Sequence, residues 1–188
     1  MRLLLLIAGL YSTIGLAAQP TPNLWRTYKP KEGRFEVLSP DIMSSKTDSV
    51  ETAVGKLAYH THFYQPRPDD DMAENMMYMV SYCDYPEGSL HQDSTELLAA
   101  FFDATMESAA LSVNGKVMYN SPRDYLDYPG HFWRIDYLDG QAVIKTWGLV
   151  AGRRYYAIQT VTVKSRSLNR SSDNFLDSFR IIPAEEEK

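Results

Sequence analysis

The sequence predicts an α+β fold, an α/β/α sandwich in which a central, mainly antiparallel sheet carries one long helix and a short C-terminal helix. Three observations predict it. Apolar residues recur at Leu97, Leu98, Phe101, Phe102, Met106, Ala109 and Ala110, the three-and-four spacing of a helix buried along one face. After that helix the β-rich segments GHFWRIDYL, AVIKTWGLV and RRYYAIQTVTVKS are joined by Asp139-Gly140 and Ala151-Gly152, turn chemistry that favours consecutive antiparallel hairpins. The order of periods, strands then helix then strands then helix, argues against a parallel βαβ unit.

The chain of 188 residues opens with MRLLLLIAGLYSTIGLAA, one positive charge followed by a short apolar run ending in small residues, the pattern of a signal peptide. Leu3 to Ala18 is shorter than the roughly 20 apolar residues that span a bilayer. No cysteine follows to carry a lipid. Residues 1–18 are therefore expected to be removed, leaving 19–188 as a single domain with a short polar N-terminal lead and an acidic C-terminal tail. A domain of that size can bury a core without a metal staple.

Within the domain, Phe35 and Val37 mark a short strand ending at Pro40, and DSVETAVGKLAYHTHFYQ reads as two strands bent at Gly55. MMYMVSYCDYP is a fourth strand, stopped by Pro86. The long helix is expected over Asp93–Ser112, with Asp93 capping it, Glu96 reaching back, and Asn114-Gly115 supplying the left-handed stop. KVMYN begins the second set of strands. SSDNFLDSF closes the domain as a short helix capped by Ser171 or Ser172, with Phe175, Leu176 and Phe179 facing inward.

Arg2 is the only charged residue of the leader, so its loss takes the net charge from −5 to −6. Residues 64–96 hold Arg67 alone against eight acidic residues, whereas residues 116–170 hold nine basic against four acidic. The basic residues are dispersed through apparent strands without a recognition motif, which argues against nucleic acid as a partner. Cys83 is the only cysteine, so an intramolecular disulfide is excluded and a small buried hydrophobe is the expected role.

GRFEVLSP near the start, the long helix after VSYCDYP, the YPGHFWRIDY strand, and GRRYYAIQTV followed by FLDSF together resemble the PsbP-like group and its Mog-type structural relatives. The resemblance runs from about Trp25 to Pro183. It implies an α/β/α sandwich and a non-enzymatic, extracytoplasmic or lumenal domain that associates with other proteins. It carries no catalytic residue.

Candidate site residues are few. In KLAYHTHFYQ, His60 and His62 fall on one face of a strand. They supply half of a zinc site, which needs three or four protein ligands, and Asp69, Asp70 and Asp71 in the following loop are the candidates to complete it. Both histidines are nevertheless expected to be structural or superficial, on a solvent-facing or half-buried strand. No motif sets a nucleophile beside a base or oxyanion hole, and the glycines are scattered turn residues instead of a phosphate loop; no catalytic residue and no cofactor are expected. Tyr119, Arg123, Tyr125 and Tyr128 around SPRDYLDYPG combine contact area with polar anchoring, as interface hot spots do. The expected function is a non-enzymatic binding or accessory domain in the periplasm or secreted, contacting another envelope or membrane-associated protein. A small-ligand or metal-binding protein, a structural envelope protein and a hydrolytic enzyme with a non-obvious site are the alternatives. Asn169-Arg170-Ser171 is also a glycosylation sequon.

Overall fold

The computed structural model describes residues 25–52 and 54–183. The expected leader, most of the polar lead and the acidic tail lie outside the described residues. The elements in chain order are β1 (Arg26–Tyr28), β2 (Phe35–Ser39), β3 (Ser44–Thr52), β4 (Gly55–Tyr64), β5 (Met77–Asp84), α1 (Thr95–Ser112), β6 (Lys116–Pro122), β7 (Gly130–Tyr137), β8 (Ala142–Ala151), β9 (Arg154–Val163), a 3-10 turn (Lys164–Arg166), α2 (Arg170–Ser178) and β10 (Arg180–Ile181). Seven strands form one antiparallel sheet in the order β3-β4-β5-β9-β8-β7-β6. β1, β2 and β10 form a second, small antiparallel sheet. The α+β class and the antiparallel central sheet are as expected, with a three-stranded sheet joining α2 in the second covering layer.

Alternation along the strands separates two cores. Leu57, Cys83, Trp133, Ile135, Val150, Tyr155 and Ala157 face α1, whose Leu98, Phe102, Met106 and Ala110 recur every fourth residue and are buried. Full burial of each large side chain contributes about 1.5–3 kcal/mol. Leu97 stays 39% exposed, so the buried stripe is narrower than the sequence suggests. Gly148 belongs to this face because a Cβ there would stand 2.8 Å from the Trp133 ring. On the opposite face Tyr78, Val80, Tyr82, Trp147, Leu149, Tyr156 and Ile158 meet Phe35 and Val37 from β2, and Phe175, Leu176 and Phe179 from the α2 region.

The turns follow the expected chemistry. Leu138, Asp139 and Gly140 all have positive φ between β7 and β8, as does Gly152 between β8 and β9. Asn114, at φ 50°, ends α1, and the Gly115 N–H closes back on the Ala110 carbonyl at 2.8 Å.

Both expected helix caps need correction. Ser94, not Asp93, is the N-cap of α1, and its side chain makes no cap bond; Asp93 instead lies against His91 at 3.4 Å, so the Asp93–Glu96 frame is one residue out of step. At α2 the cap is Asn169, whose side-chain oxygen accepts from the Ser172 N–H at 2.7 Å. The second strand also begins earlier than its sequence signal, since Ser44–Thr47 extend β3 as a polar, exposed edge.

Candidate functional site

The four candidates Tyr119, Arg123, Tyr125 and Tyr128 come together, linked by two residues from neighbouring strands. Tyr119 on β6 lies 6.1 Å from Phe132 on β7, centroid to centroid. The Arg123 guanidinium stands 5.7 Å from the Phe132 ring and 4.2 Å from the Trp147 ring on β8. Tyr125 meets Trp147 edge to face at 6.1 Å, and stacks with Tyr128 at 6.5 Å. The result is a continuous row of Tyr119, Phe132, Arg123, Trp147, Tyr125 and Tyr128 across one end of the sheet.

Directional bonds fix this row. The Trp147 indole N–H donates to the Arg123 carbonyl at 2.8 Å, and Arg123 pairs with Asp177 of α2 at 2.6 Å. Asp124 accepts from the Gly130 N–H at 2.9 Å, and Tyr125 and Tyr128 exchange backbone bonds at 2.9 Å. The loop closes this tightly because residue 130 is glycine: a Cβ there would collide with the Arg123 carbonyl oxygen and stand 2.8 Å from that of Gly148. Leu126, at φ 52° and 79% exposed, is held outward at the tip, and Met118 and Tyr119 are exposed on β6. β6 is the edge strand of the large sheet, with a bulge between Val117 and Tyr119. Bulges and proline mark managed sheet edges, and here Pro122 ends the strand.

His60 and His62 do share one face of β4, the face turned toward β1 and β2. His60 stacks on Tyr82 at 4.8 Å and bonds Thr47 Oγ1 through Nδ1 at 3.1 Å. His62 is buried, packs against Tyr28, Phe35 and Tyr82, and bonds the Tyr28 hydroxyl through Nδ1 at 2.9 Å. Both line a cleft of about 390 Å³ under the β1–β2 turn, together with Lys31 and Glu32. Asp70 lines a different cleft, of about 510 Å³, with Arg67 and Arg166. Asp69 pairs with Arg67 at 3.8 Å in solvent, and the Asp70 carboxylate caps its own turn by accepting from the Met72 N–H. Among the described residues, no three His, Cys, Asp or Glu side chains gather as a metal would require.

Arg154 is the residue that local sequence reading misses. It stands 4.5 Å from the Tyr82 ring, forms a forked pair with Asp84 at 2.7 and 2.6 Å, and donates to the carbonyls of Glu32 and Gly33 at 2.9 and 3.2 Å. The fork holds the Asp84 carboxyl below the ordinary carboxylate range. Asp84 lies 70 residues away in sequence and the two carbonyl partners more than a hundred, and no local motif announces them. Cys83 is fully buried, and burial pushes its thiol up to about 11, which keeps it protonated and inert. The sequon residue Asn169 is buried, with its amide donating to Asn75 and the Arg166 carbonyl.

No family profile and no curated protein matches this chain. Among solved structures, it is similar to the solution structure of cyanobacterial PsbP (CyanoP) from Synechocystis sp. PCC 6803, at 14% identity and a TM-score of 0.54, over 92% of this chain and 98% of that one. At that identity the likeness is one of fold. No helix among the described residues is long and apolar enough to cross a membrane.

Proposed function

We propose that this chain is a non-enzymatic accessory domain that works outside the cytoplasm and contacts another envelope or membrane-associated protein. The observation that carries the reading is the braced row from Tyr119 to Tyr128 at the β6 edge. Aromatic and arginine side chains dominate binding energy where they are held rigid before contact, because little conformational entropy remains to be lost. Arg123, fixed by Trp147 and Asp177, and Tyr125, packed between Trp147 and Tyr128, meet that requirement. The short apolar leader and the fold shared with a PsbP protein support the compartment. In this reading His60 and His62 hold no metal, and the protein needs none to stay folded.

The test is site-specific photo-crosslinking in the native envelope. A crosslinker at Tyr119 or Leu126 should yield one adduct of discrete mass, absent when it is placed at Lys46 on the opposite edge. Equal labelling at all three positions, or none at the first two, would remove this surface from consideration. N-terminal sequencing of the exported product should begin at about residue 19.

A further inference from the structure

We propose that the Tyr28–His62 hydrogen bond is an acid-sensitive clasp: with His62 neutral it holds β1 on the molecule, and protonation of the ring frees β1 to lift away.

β1 has three residues and, among the described strands, pairs with β2 alone. Its side-chain ties to the large sheet are few. Trp25 touches Tyr78 edge to face at 5.6 Å, and Tyr28 reaches His62. The Arg26–Asp41 pair, at 3.9 Å with both side chains more than half exposed, adds little. Immediately after β1 the chain is anchored again, where Arg154 and the Tyr156 hydroxyl hold the carbonyls of Glu32 and Gly33. Those bonds set a fixed hinge, so release is confined to the residues before it.

His62 is poorly placed to take a proton while the clasp is shut. Nδ1 is on the Tyr28 hydroxyl; Nε2 is buried and has no partner among the described residues. If Nδ1 donates to Tyr28, protonation adds an Nε2–H with no acceptor among the described residues; if Nδ1 accepts, protonation forces the Tyr28 hydroxyl to turn from donor to acceptor. In both cases the buried ring gains a charge with no counter-ion among the described residues, which is costly. The groups around it offer no compensation. From β1, β2 and β5 come the rings of Tyr28, Phe35 and Tyr82. From β4 comes His60, a second base, and from β3 the cleft receives Ser45 and Thr47, with Lys46 engaged by Asp48 at 2.8 Å. Arg154 of β9 lies against Tyr82. The β1–β2 turn brings Lys31 and Glu32, and Glu32, the one carboxylate lining the cleft, makes no ion pair with His62 among the described contacts. Burial, and then the nearby His60, lower the proton affinity of His62.

The direction follows from linkage. With the β1-open ring solvated near its ordinary value of about 6.5 and the shut ring below it, the open state binds more protons as pH falls through that value. The clasp is fully effective above about pH 6.5 and weakens below it. Lifting β1 would bare the Phe35 and His62 rings against which Tyr28 now packs.

Hydrogen exchange of the purified protein, corrected for intrinsic rates, should show amide protection in residues 26–28 falling several-fold between about pH 7.5 and about pH 5, with α1 unchanged. His62→Gln, which keeps a polar contact to Tyr28 without titrating, and His62→Phe should each abolish that pH dependence. Imidazole NMR of the wild type should show His62 titrating over the range in which exchange rises. No fall in wild-type protection, an equal fall in the variants, a loss of protection shared by α1, or a His62 that stays neutral while β1 opens would each overturn the clasp.

Discussion

The two faces of the central sheet are held by different forces. The face under α1 is closed by one amphipathic helix laying Leu98, Phe102, Met106 and Ala110 on Trp133, Ile135 and Tyr155. The opposite face is closed by three short pieces, β1, β2–β10 and α2. Each is short, and directional bonds add to the burial of Phe35, Val37, Phe175 and Phe179 in fixing them: Arg154 to the β1–β2 turn, Asn169 to Asn75, Tyr28 to His62. A face closed by area should respond to lost volume, and a face closed by polar ties to lost partners. The aromatic row and the histidine cleft both belong to the second face, where small elements are positioned one at a time.

The largest expected effect tests the first half of that contrast. Phe102 is 2% exposed and stacks on His131 at 4.7 Å; Phe102→Ala should lower stability by about 3–5 kcal/mol, seen as a lower urea midpoint. Arg154→Met keeps much of the volume on the second face and removes the bonds. Asp84 and the carbonyls of Glu32 and Gly33 would lose their donor. Because the Asp84 side chain is 44% exposed, the about 3–5 kcal/mol for breaking a fully buried pair falls to about 2–3. The pH dependence separates charge from packing. Asp84 is held below its ordinary value by the Arg154 fork, so its contribution is present above about pH 4 and is lost as pH falls through the depressed value. The gap in urea midpoint between wild type and Arg154→Met should therefore narrow from about pH 7 to about pH 2. A constant gap would remove the Asp84 fork from the account and leave the loss to packing and to the Glu32 and Gly33 carbonyl bonds.

The contrast also explains what was legible in the sequence. α1 was readable because its buried side chains repeat within one element, and β7–β9 because Asp139-Gly140 and Gly152 mark their turns locally. β1 and β10, three and two residues long, contain no full period. Their partners are chosen by β2 from the far ends of the domain. The same rule divides the candidate surface: Tyr119, Arg123, Tyr125 and Tyr128 lie close in sequence and were found, while Phe132 and Trp147 brace them from the next hairpins and were not. The capping-box pattern at Asp93 failed for a related reason, since one residue of slippage at a helix start leaves the pattern intact and the geometry lost.

That slippage supplies the finest test, because the two helices lie on opposite faces and their caps differ as the faces do. Asn169 accepts from the Ser172 N–H and exchanges side-chain bonds with Asn75, which in turn holds Tyr78 and Ser172. Asn169→Ala should cost about 2 kcal/mol, the upper end for a lost cap, because Asn75 is left short of a partner in a buried position. Ser94 stands at the equivalent point of α1 and makes no side-chain cap bond. Ser94→Ala should therefore cost less than about 0.5 kcal/mol, below the usual range for removing a serine cap, as the α1 start relies on the buried Leu98 and Phe102 behind it. Measured together by urea unfolding, the two alanine variants compare a polar tie with an area-held end in one protein. Equal losses would mean that Ser94 caps α1 in solution and that the α1 face depends on directional bonds after all.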